Sequence, residues 1–295
     1  MRQRSMLQSN NLRKLYPYFF ILPALLLFSM FVFYPFIKTV THSFALTDAR
    51  GTAVEFVGLE NYQRLMNNTA FKKAFRNTLL FAPMVYIPSL LFGMILALAA
   101  ANRSRGSRSW EVMYSLPMAV SAAAASVVWQ RFLAPTRSGL LNYLLGTDIS
   151  WLLDKNYALG AVALVTVWTT MAYNYIFLLT GIKNVPQELI ESAMIDGAGY
   201  FRRLFHVVLP MASSQIFFVS FLDIVISFQA FGQSKMLTAG GPNNATNILV
   251  YNIYQAAMRN GRYETAFAQS CILFLMIMVL TLVQFKLEDK VVNYQ

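Results

Sequence analysis

The sequence predicts an all-α integral membrane protein with six transmembrane helices and both chain ends on the cytosolic side. Three observations carry that reading. Of 295 residues, 57% are hydrophobic and only 13% charged, against about 25% charged in an ordinary soluble chain. Six stretches recur at about the length that crosses a hydrocarbon core, which takes roughly 20 mostly apolar residues. The net charge of +11 falls in the connections between those stretches. A nucleic-acid-binding face would instead gather Lys and Arg into a stripe on a polar domain.

The elements follow in order. Residues 1–14 form a cytosolic N-terminal segment holding Arg2, Arg4, Arg13 and Lys14 and no acid. The first span, 15–37, is too long for the apolar core of a signal peptide, and no small-residue cleavage site follows it. A polar loop over about 38–76 leads to the second span, 77–102, and then to a short connection with Arg103, Arg105 and Arg108. The third span, 112–130, is the shortest, and a loop over 131–155 joins it to the fourth, 156–182. A polar insert of 24 residues, 183–206, precedes the fifth span, 207–234, which carries Asp223 at its middle. A loop over 235–264 and a sixth span, 265–285, complete a membrane domain of 15–287, and 288–295 form a cytosolic tail.

Pro23, Pro35, Pro83, Pro88, Gly93 and Pro117 lie within spans. A helix bundle tolerates them where neighbours satisfy the freed backbone groups. Six crossings put both ends on one side, and short cation-rich flanks belong in the cytoplasm. The N-terminus and the 103–111 connection meet that rule, so the insert and tail are cytosolic too. The bias is one of density: twelve Lys/Arg lie in about 57 inside residues and twelve in about 94 outside. Trp110, Trp129 and Trp151 near span ends fit interfacial anchors. The single cysteine, Cys271, lies in an apolar run, so no intramolecular disulfide forms.

Catalytic chemistry is hard to place. No Gly-Lys pair occurs anywhere, so nucleotide phosphates have no P-loop cradle. His42 and His206 are the only histidines and fall on opposite sides of the membrane, which excludes a His-based metal site. Glu288 and Asp289 sit on the tail as solvated charges. An intramembrane enzyme needs a nucleophile and base at matching depth, and Asp223 has no basic partner within the spans, so the chain is not read as an enzyme.

Asp223 is the one acid within a span. An ionisable group there marks a polar cavity or pathway by default. The other reading is a carboxylate held by neighbouring hydroxyls for helix packing alone. Ser220 and Ser227 share its face, and Gln229 and Gln233 follow. In span four, Thr166, Thr169 and Thr170, with Tyr173 and Asn174, lie at similar depth. A threonine in a span can also bond its own i−4 carbonyl. These groups suit a solute rich in hydroxyls. The absence of Lys and Arg from the spans weighs against a strongly anionic one.

The insert has the build of a docking element. Asn184 and Pro186 suit a helix start, and Leu189, Ile190, Ala193 and Met194 make an apolar face with Glu191 and Asp196 off it. Gly197 and Gly199 end the helix. Tyr200, Phe201, Leu204 and Phe205 resume an apolar face, with Arg202 and Arg203 turned toward water or headgroups, and Pro210 marks the start of span five. Periodicity leaves two readings open: a helix pair docked on another protein, or one resting on lipid.

Glu191-Ser192-Ala193, then Gly197, Val207 and Leu209-Pro210 resemble, in residue type and spacing, the EAA loop of bacterial ABC importer permeases. Ser192 and Val207 stand where that pattern has Ala and Ile. The resemblance extends over nearly the whole chain, through Phe56-Val57-Gly58-Leu59-Glu60-Asn61-Tyr62, Arg76-Asn77-Thr78-Leu79, Leu116-Pro117, Gly139-Leu140-Leu141-Asn142 and Leu237-Thr238-Ala239-Gly240-Gly241-Pro242. The chain thus resembles permeases of the maltose-type sugar and sn-glycerol-3-phosphate family.

The resemblance implies the type I importer permease fold in the bacterial cytoplasmic membrane. Residues 184–210 become cytosolic coupling helices seated in a cleft of an ATPase, with Glu191, Ser192, Ala193, Asp196, Gly197, Leu209 and Pro210 at the contact. The implied partners are a second permease as a heterodimer, two ATP-binding subunits and an extracytoplasmic solute-binding protein that meets loops near 58–62 and 240–246. No cofactor belongs to this chain, and ATP and Mg enter through the ATPases. Matching positions for a mid-membrane solute pocket are Met118, Ala122, Thr166, Thr169, Thr170, Asp223, Ser227 and Ala230. The implied solute is a sugar or oligosaccharide, with sn-glycerol 3-phosphate as the alternative.

Overall fold

The computed structural model describes residues 18–101 and 107–291. The N-terminal segment, the start of the first span, Arg103 and Arg105 lie outside the described residues, as do 292–295.

The first helix, α1 (Tyr18–His42), is apolar all round as far as Ile37, and none of its membrane-length window is buried within this chain. A helix with no polar face belongs in lipid or against another apolar body. It leads into a small antiparallel hairpin, β1 (Ala45–Thr47) and β2 (Ala53–Phe56), pairing Ala45 with Phe56 and Leu46 with Glu55. That hairpin is an addition to the all-α expectation. Helix α2 (Glu60–Asn67) follows, then α3 (Thr69–Ala101).

Helix α3 begins eight residues before the expected span, so Lys72, Lys73 and Arg76 ride on its first turns. Asn68 makes this start, its side chain accepting from the N–H groups of Ala70 and Phe71.

The third expected span is broken. Helix α4 (Ser107–Ser115) runs through a 3-10 turn (Leu116–Ala119) and meets α5 (Ala122–Phe132) at 105°. Pro117 has no N–H to continue the ladder. Ser121 restarts the chain as an N-cap, accepting from Ala124 at 3.2 Å. After α6 (Leu140–Leu145) comes α7 (Ala158–Lys183), the most enclosed of the long helices. It makes its most extensive packing with α3.

The insert folds as α8 (Gln187–Ile195) and α9 (Tyr200–Met211), the latter widened by a π-helical stretch at Leu204–Val208. A 70° bend at Ala212 separates α9 from α10 (Ser213–Phe228). The bend therefore falls two residues after Pro210, where the sequence suggests a straight entry at Pro210. The remainder of the fifth expected span is a separate short helix, α11 (Phe231–Leu237). Helix α12 (Leu249–Tyr254) precedes α13 (Tyr263–Val291), which carries the expected tail on as helix to residue 291.

Among the described residues, four helices are long and apolar enough to cross a membrane, or six if each bent pair is one span. The core is three apolar clusters. One, toward the start of α7, holds Phe81, Val85, Val162, Val165 and Ile248. A second, toward its end, holds Ala97, Tyr175, Leu178, Ile182 and Val219, and a third joins Leu65, Phe71 and Phe228 to Leu273 of α13.

Candidate functional site

The insert is an L of two short helices joined by a glycine turn. Ala198 N–H donates to the Ala193 carbonyl at 2.9 Å and Gly197 N–H to Met194 at 3.0 Å. These paired bonds are a Schellman cap, which needs the left-handed conformation seen at Gly197, φ +77°. Pro186 takes the cap position before α8 rather than its first turn. Glu191, Ser192 and Asp196 are exposed, and Glu191 accepts from Gln187 one turn earlier at 3.2 Å. Ile195 is 86% exposed, and Phe201 and Phe205 also face outward. Leu209 and Pro210 are half-buried at the foot of α9.

The inner face of the L covers a cavity of about 930 Å³ lined in part by Leu98, Ile182, Ile190, Met194 and Leu204. The Lys183–Glu111 ion pair, 3.0 Å, joins α7 to α4 along its wall. Arg203 turns into this cavity with its Nε buried, instead of pointing to water as expected, whereas Arg202 is exposed. The i+1 neighbours diverge because helical residues a step apart face about 100° away from each other.

The mid-span polar residues gather into two different arrangements. Asp223 is wholly buried, and its Oδ2 accepts from Ser89 of α3 at 2.9 Å and from the Asn174 amide of α7. Tyr86 and Ser220 hydrogen-bond at 2.6 Å beside it, so three helices meet at one polar knot. Oδ1 of Asp223 has no partner among the described residues. The partners are thus Ser89 and Asn174, not the same-helix Ser220 and Ser227. Ser89 has no signal in the sequence, being one serine in an apolar run.

Thr166, Thr169, Thr170 and Ser227 are also buried, and each bonds back to its own helix: Thr166 to Val162, Thr169 and Thr170 to the Thr166 carbonyl, Ser227 to Ile224. Ala230 is buried as well. Met118 is 44% exposed at the break of the third span, and Ala122, half-buried, packs where α5 meets Gly232 of α11.

At the opposite end of α7 from the insert, the Gly240-Gly241-Pro242 loop is held in one shape. Asn77 donates to the carbonyls of Asn244 at 2.9 Å and Asn247 at 3.1 Å, and Thr78 Oγ1 accepts from Leu249 N–H at 2.7 Å. Lys73 donates to the Asn243 carbonyl. Within the loop, Thr246 bonds Thr238 at 2.6 Å and the Gly241 carbonyl at 2.8 Å. Asn61 in α2 similarly ties down the carbonyls of Ser43 and Ala45. Asn142 joins the carbonyls of Ala134, Thr136 and Ile149 to the Trp151 indole N–H. Trp151 is therefore half-buried in its own loop, beyond the interfacial role expected of it. These asparagines are where the sequence signatures acquire physical meaning: each one satisfies backbone carbonyls that a loop leaves unpaired. Among the described residues, no cluster of His, Cys, Asp and Glu is suited to a metal.

Comparison with known proteins agrees with this architecture. Residues 84–293 match the model of the family described as the binding-protein-dependent transport system inner membrane component. The sn-glycerol-3-phosphate transport system permease protein UgpA of Pectobacterium atrosepticum is 36% identical over 95% of this chain and 96% of its own. Its counterpart from Yersinia enterocolitica is 33% identical over the same shares. Among solved structures, a bacterial ABC transporter that imports the acidic polysaccharide alginate superposes with a TM-score of 0.84 at 20% identity, over 98% of this chain and 100% of that one. An alginate transporter in complex with its pentasaccharide-bound periplasmic protein gives 0.81 at 18% identity, over 97% and 98%. With the family model covering most of its length and relatives above 30% identity along nearly all of it, this chain belongs to the binding-protein-dependent transport system inner membrane component family.

Proposed function

We propose that this chain is one permease half of an ATP-driven importer, working by alternating access in the bacterial cytoplasmic membrane. Each bent helix pair counts as one crossing, giving six, with both ends and the insert in the cytosol. The observation that carries the reading is the insert: an exposed, glycine-capped helix pair rooted in the bundle through α9 and α10. Glu191, Ser192, Ala193, Asp196 and Gly197 form its contact with a separate ATPase, and Leu209 and Pro210 form its base. ATP and Mg act there, on two ATP-binding subunits, and a second permease completes the pathway. ATP binding moves the docked pair, and the rigid connection passes that motion to the crossing helices.

The loaded solute-binding protein meets the loops at 58–62 and 240–246. The hydrogen bonds from Lys73, Asn77 and Asn61 support this reading, since a receiving surface has to keep its shape. The solute then passes the break of the third span, where Met118 lies exposed and Ala122 half-buried. Thr166, Thr169, Thr170, Asp223, Ser227 and Ala230 are buried in this arrangement and join the pathway in a second one, in which α10 has moved relative to α3 and α7.

The solute is a sugar or oligosaccharide, supported by the hydroxyl-rich set of groups and by the absence of Lys and Arg from the buried residues described. A second reading, sn-glycerol 3-phosphate, is favoured by the relatives that carry that name. Uptake into vesicles holding the reconstituted transporter, with its cognate binding protein, tests both. Competition by a sugar panel and not by glycerol 3-phosphate supports the first, and the reverse supports the second. Solute movement by this chain without any ATPase would overturn the importer reading.

A further inference from the structure

At the end of α3 and α7 away from the insert lies a cavity of about 510 Å³ whose wall is divided by chemistry. One side carries Lys73, Arg76 and Lys155 with Asn77 and Asn156. No acid lines it, and neither ion pair found among the described residues involves these cations. Lys73 donates to the Asn243 carbonyl, which neutralises no charge. The other side carries Leu80 and Met84 of α3 and Gly160 and Leu164 of α7, with Met84 seated across Gly160.

From that apolar side an exposed stripe continues down α3 as Leu80, Met84, Ile87, Leu91 and Ile95. The spacing keeps them on one face. At about 1.5 Å per residue the stripe is roughly 22 Å long, about three quarters of a hydrocarbon core of about 30 Å. All the cations stand at one end of it, beside Trp151 and Tyr157, two residue types that sit at headgroup level.

A small soluble anion would use the cations and leave the apolar wall and stripe idle. An apolar helix would use the stripe and leave three cations uncompensated. A molecule with an anionic head and an acyl tail uses both. We infer that this cavity, between the start of α7 and the second turn of α3, binds the headgroup phosphate of an anionic phospholipid whose acyl chain lies along Leu80, Met84 and Ile87. Convergent Lys and Arg hold phosphate oxygens by charge-assisted hydrogen bonds, and a Lys or Arg near an anionic membrane surface contributes about fivefold in affinity. The inference rests on membrane location alone and does not depend on what is transported.

The test uses the full chain with its partner subunits in nanodiscs of phosphatidylcholine, titrated with phosphatidylglycerol bearing brominated acyl chains. Quenching of tryptophan fluorescence, with Trp151 at the cavity wall, reports the bound lipid. We expect saturable quenching at low mole fractions of phosphatidylglycerol, and none from brominated phosphatidylcholine at the same fractions. The double variant Arg76→Gln/Lys155→Gln is expected to weaken it about 25-fold, two cations at fivefold each. Met84→Glu, which puts a charge on the apolar side, is expected to abolish it. Unchanged quenching in the double variant overturns the proposal. Displacement of the lipid by millimolar inorganic phosphate or glycerol 3-phosphate overturns it in favour of a soluble anion. Cross-linking of residues 80, 84 and 164 to the second permease overturns it in favour of a subunit interface. Because the readout is binding, a failure here is distinct from a failure of solute uptake.

Discussion

Asn174 and Asp223 face each other across the α7–α10 interface, the Asn174 amide donating to the same carboxylate oxygen that Ser89 reaches from α3. One buried oxygen thus joins three helices. In a low-dielectric interior such a bond is strong, and its loss leaves polar groups without water to replace it. Gly93 sits one turn beyond Ser89 and allows the close approach, since a Cβ there would lie 2.5 Å from the Asn174 Cβ.

Replacing Asp223 by Ala is expected to lower the stability of the detergent-solubilised protein by about 1–3 kcal/mol, the cost of buried donors left without an acceptor. Asp223→Asn keeps an acceptor and the shape, so its loss is expected to be smaller. Asn174→Ala combined with Asp223→Ala should cost less than the sum of the two, with a coupling of roughly 0.5–3 kcal/mol. Thermal unfolding of the four proteins completes the cycle. Strict additivity would show that the pair does not act as one unit.

Gly93→Ala is expected to force α3 and α7 apart and displace Asn174. Overpacking of this kind costs typically about 1–3 kcal/mol. Loss of stability should be accompanied by greater protease sensitivity near 170–180, measured by limited digestion. A variant that packs as well as the parent would remove the close approach from the account of the knot.

Glu191→Lys is expected to leave stability within about 0.5 kcal/mol, because its only side-chain bond among the described residues joins an exposed i, i+4 pair. Gly197→Ala strains one left-handed residue by about 1–2 kcal/mol, and its Cβ meets nothing within 4 Å among the described residues beyond its chain neighbours. Yet Glu191→Lys, and Gly197→Asp likewise, should cut uptake and solute-stimulated ATP hydrolysis while solute capture by the binding protein stays intact. Hydrolysis assays on assembled complexes separate the two effects. Full transport-coupled hydrolysis in a well-assembled Glu191→Lys complex would sink the coupling role.

Asn77→Ala is expected to free the carbonyls of Asn244 and Asn247 and loosen residues 243–249 by about 1–3 kcal/mol. Hydrogen exchange should rise in that loop and not in α8 or α9. If the loop receives the binding protein, stimulation of hydrolysis by that protein should weaken in the same variant.

The structure also separates what local sequence can and cannot show. Runs such as 156–182 and 265–285 matched α7 and α13 to within a few residues at most ends, because uncharged length is a local property. The insert was legible for the same reason: Gly197 and its flanking apolar faces lie within a few turns of one another. Pro117 was visible, but the 105° bend it accompanies was not, since a proline alone does not say whether a span kinks or breaks. For Thr166, Thr169 and Thr170 the sequence permitted both a pathway wall and a bond to the preceding turn. The structure shows the latter in this arrangement.

By itself the sequence determined the membrane class, the positions of the apolar runs, the build of the insert and, through the spacing around Glu191 and Pro210, the family. Only the tertiary structure decided what Asp223 bonds, where the third and fifth spans bend, and which cations gather beside an apolar stripe. The physical reason is range. Hydropathy and helix caps are set by neighbours a few residues away, whereas Asp223 finds its partners 49 and 134 residues off. Lys155 likewise lines one cavity with Lys73 and Arg76 only because α3 and α7 pack together.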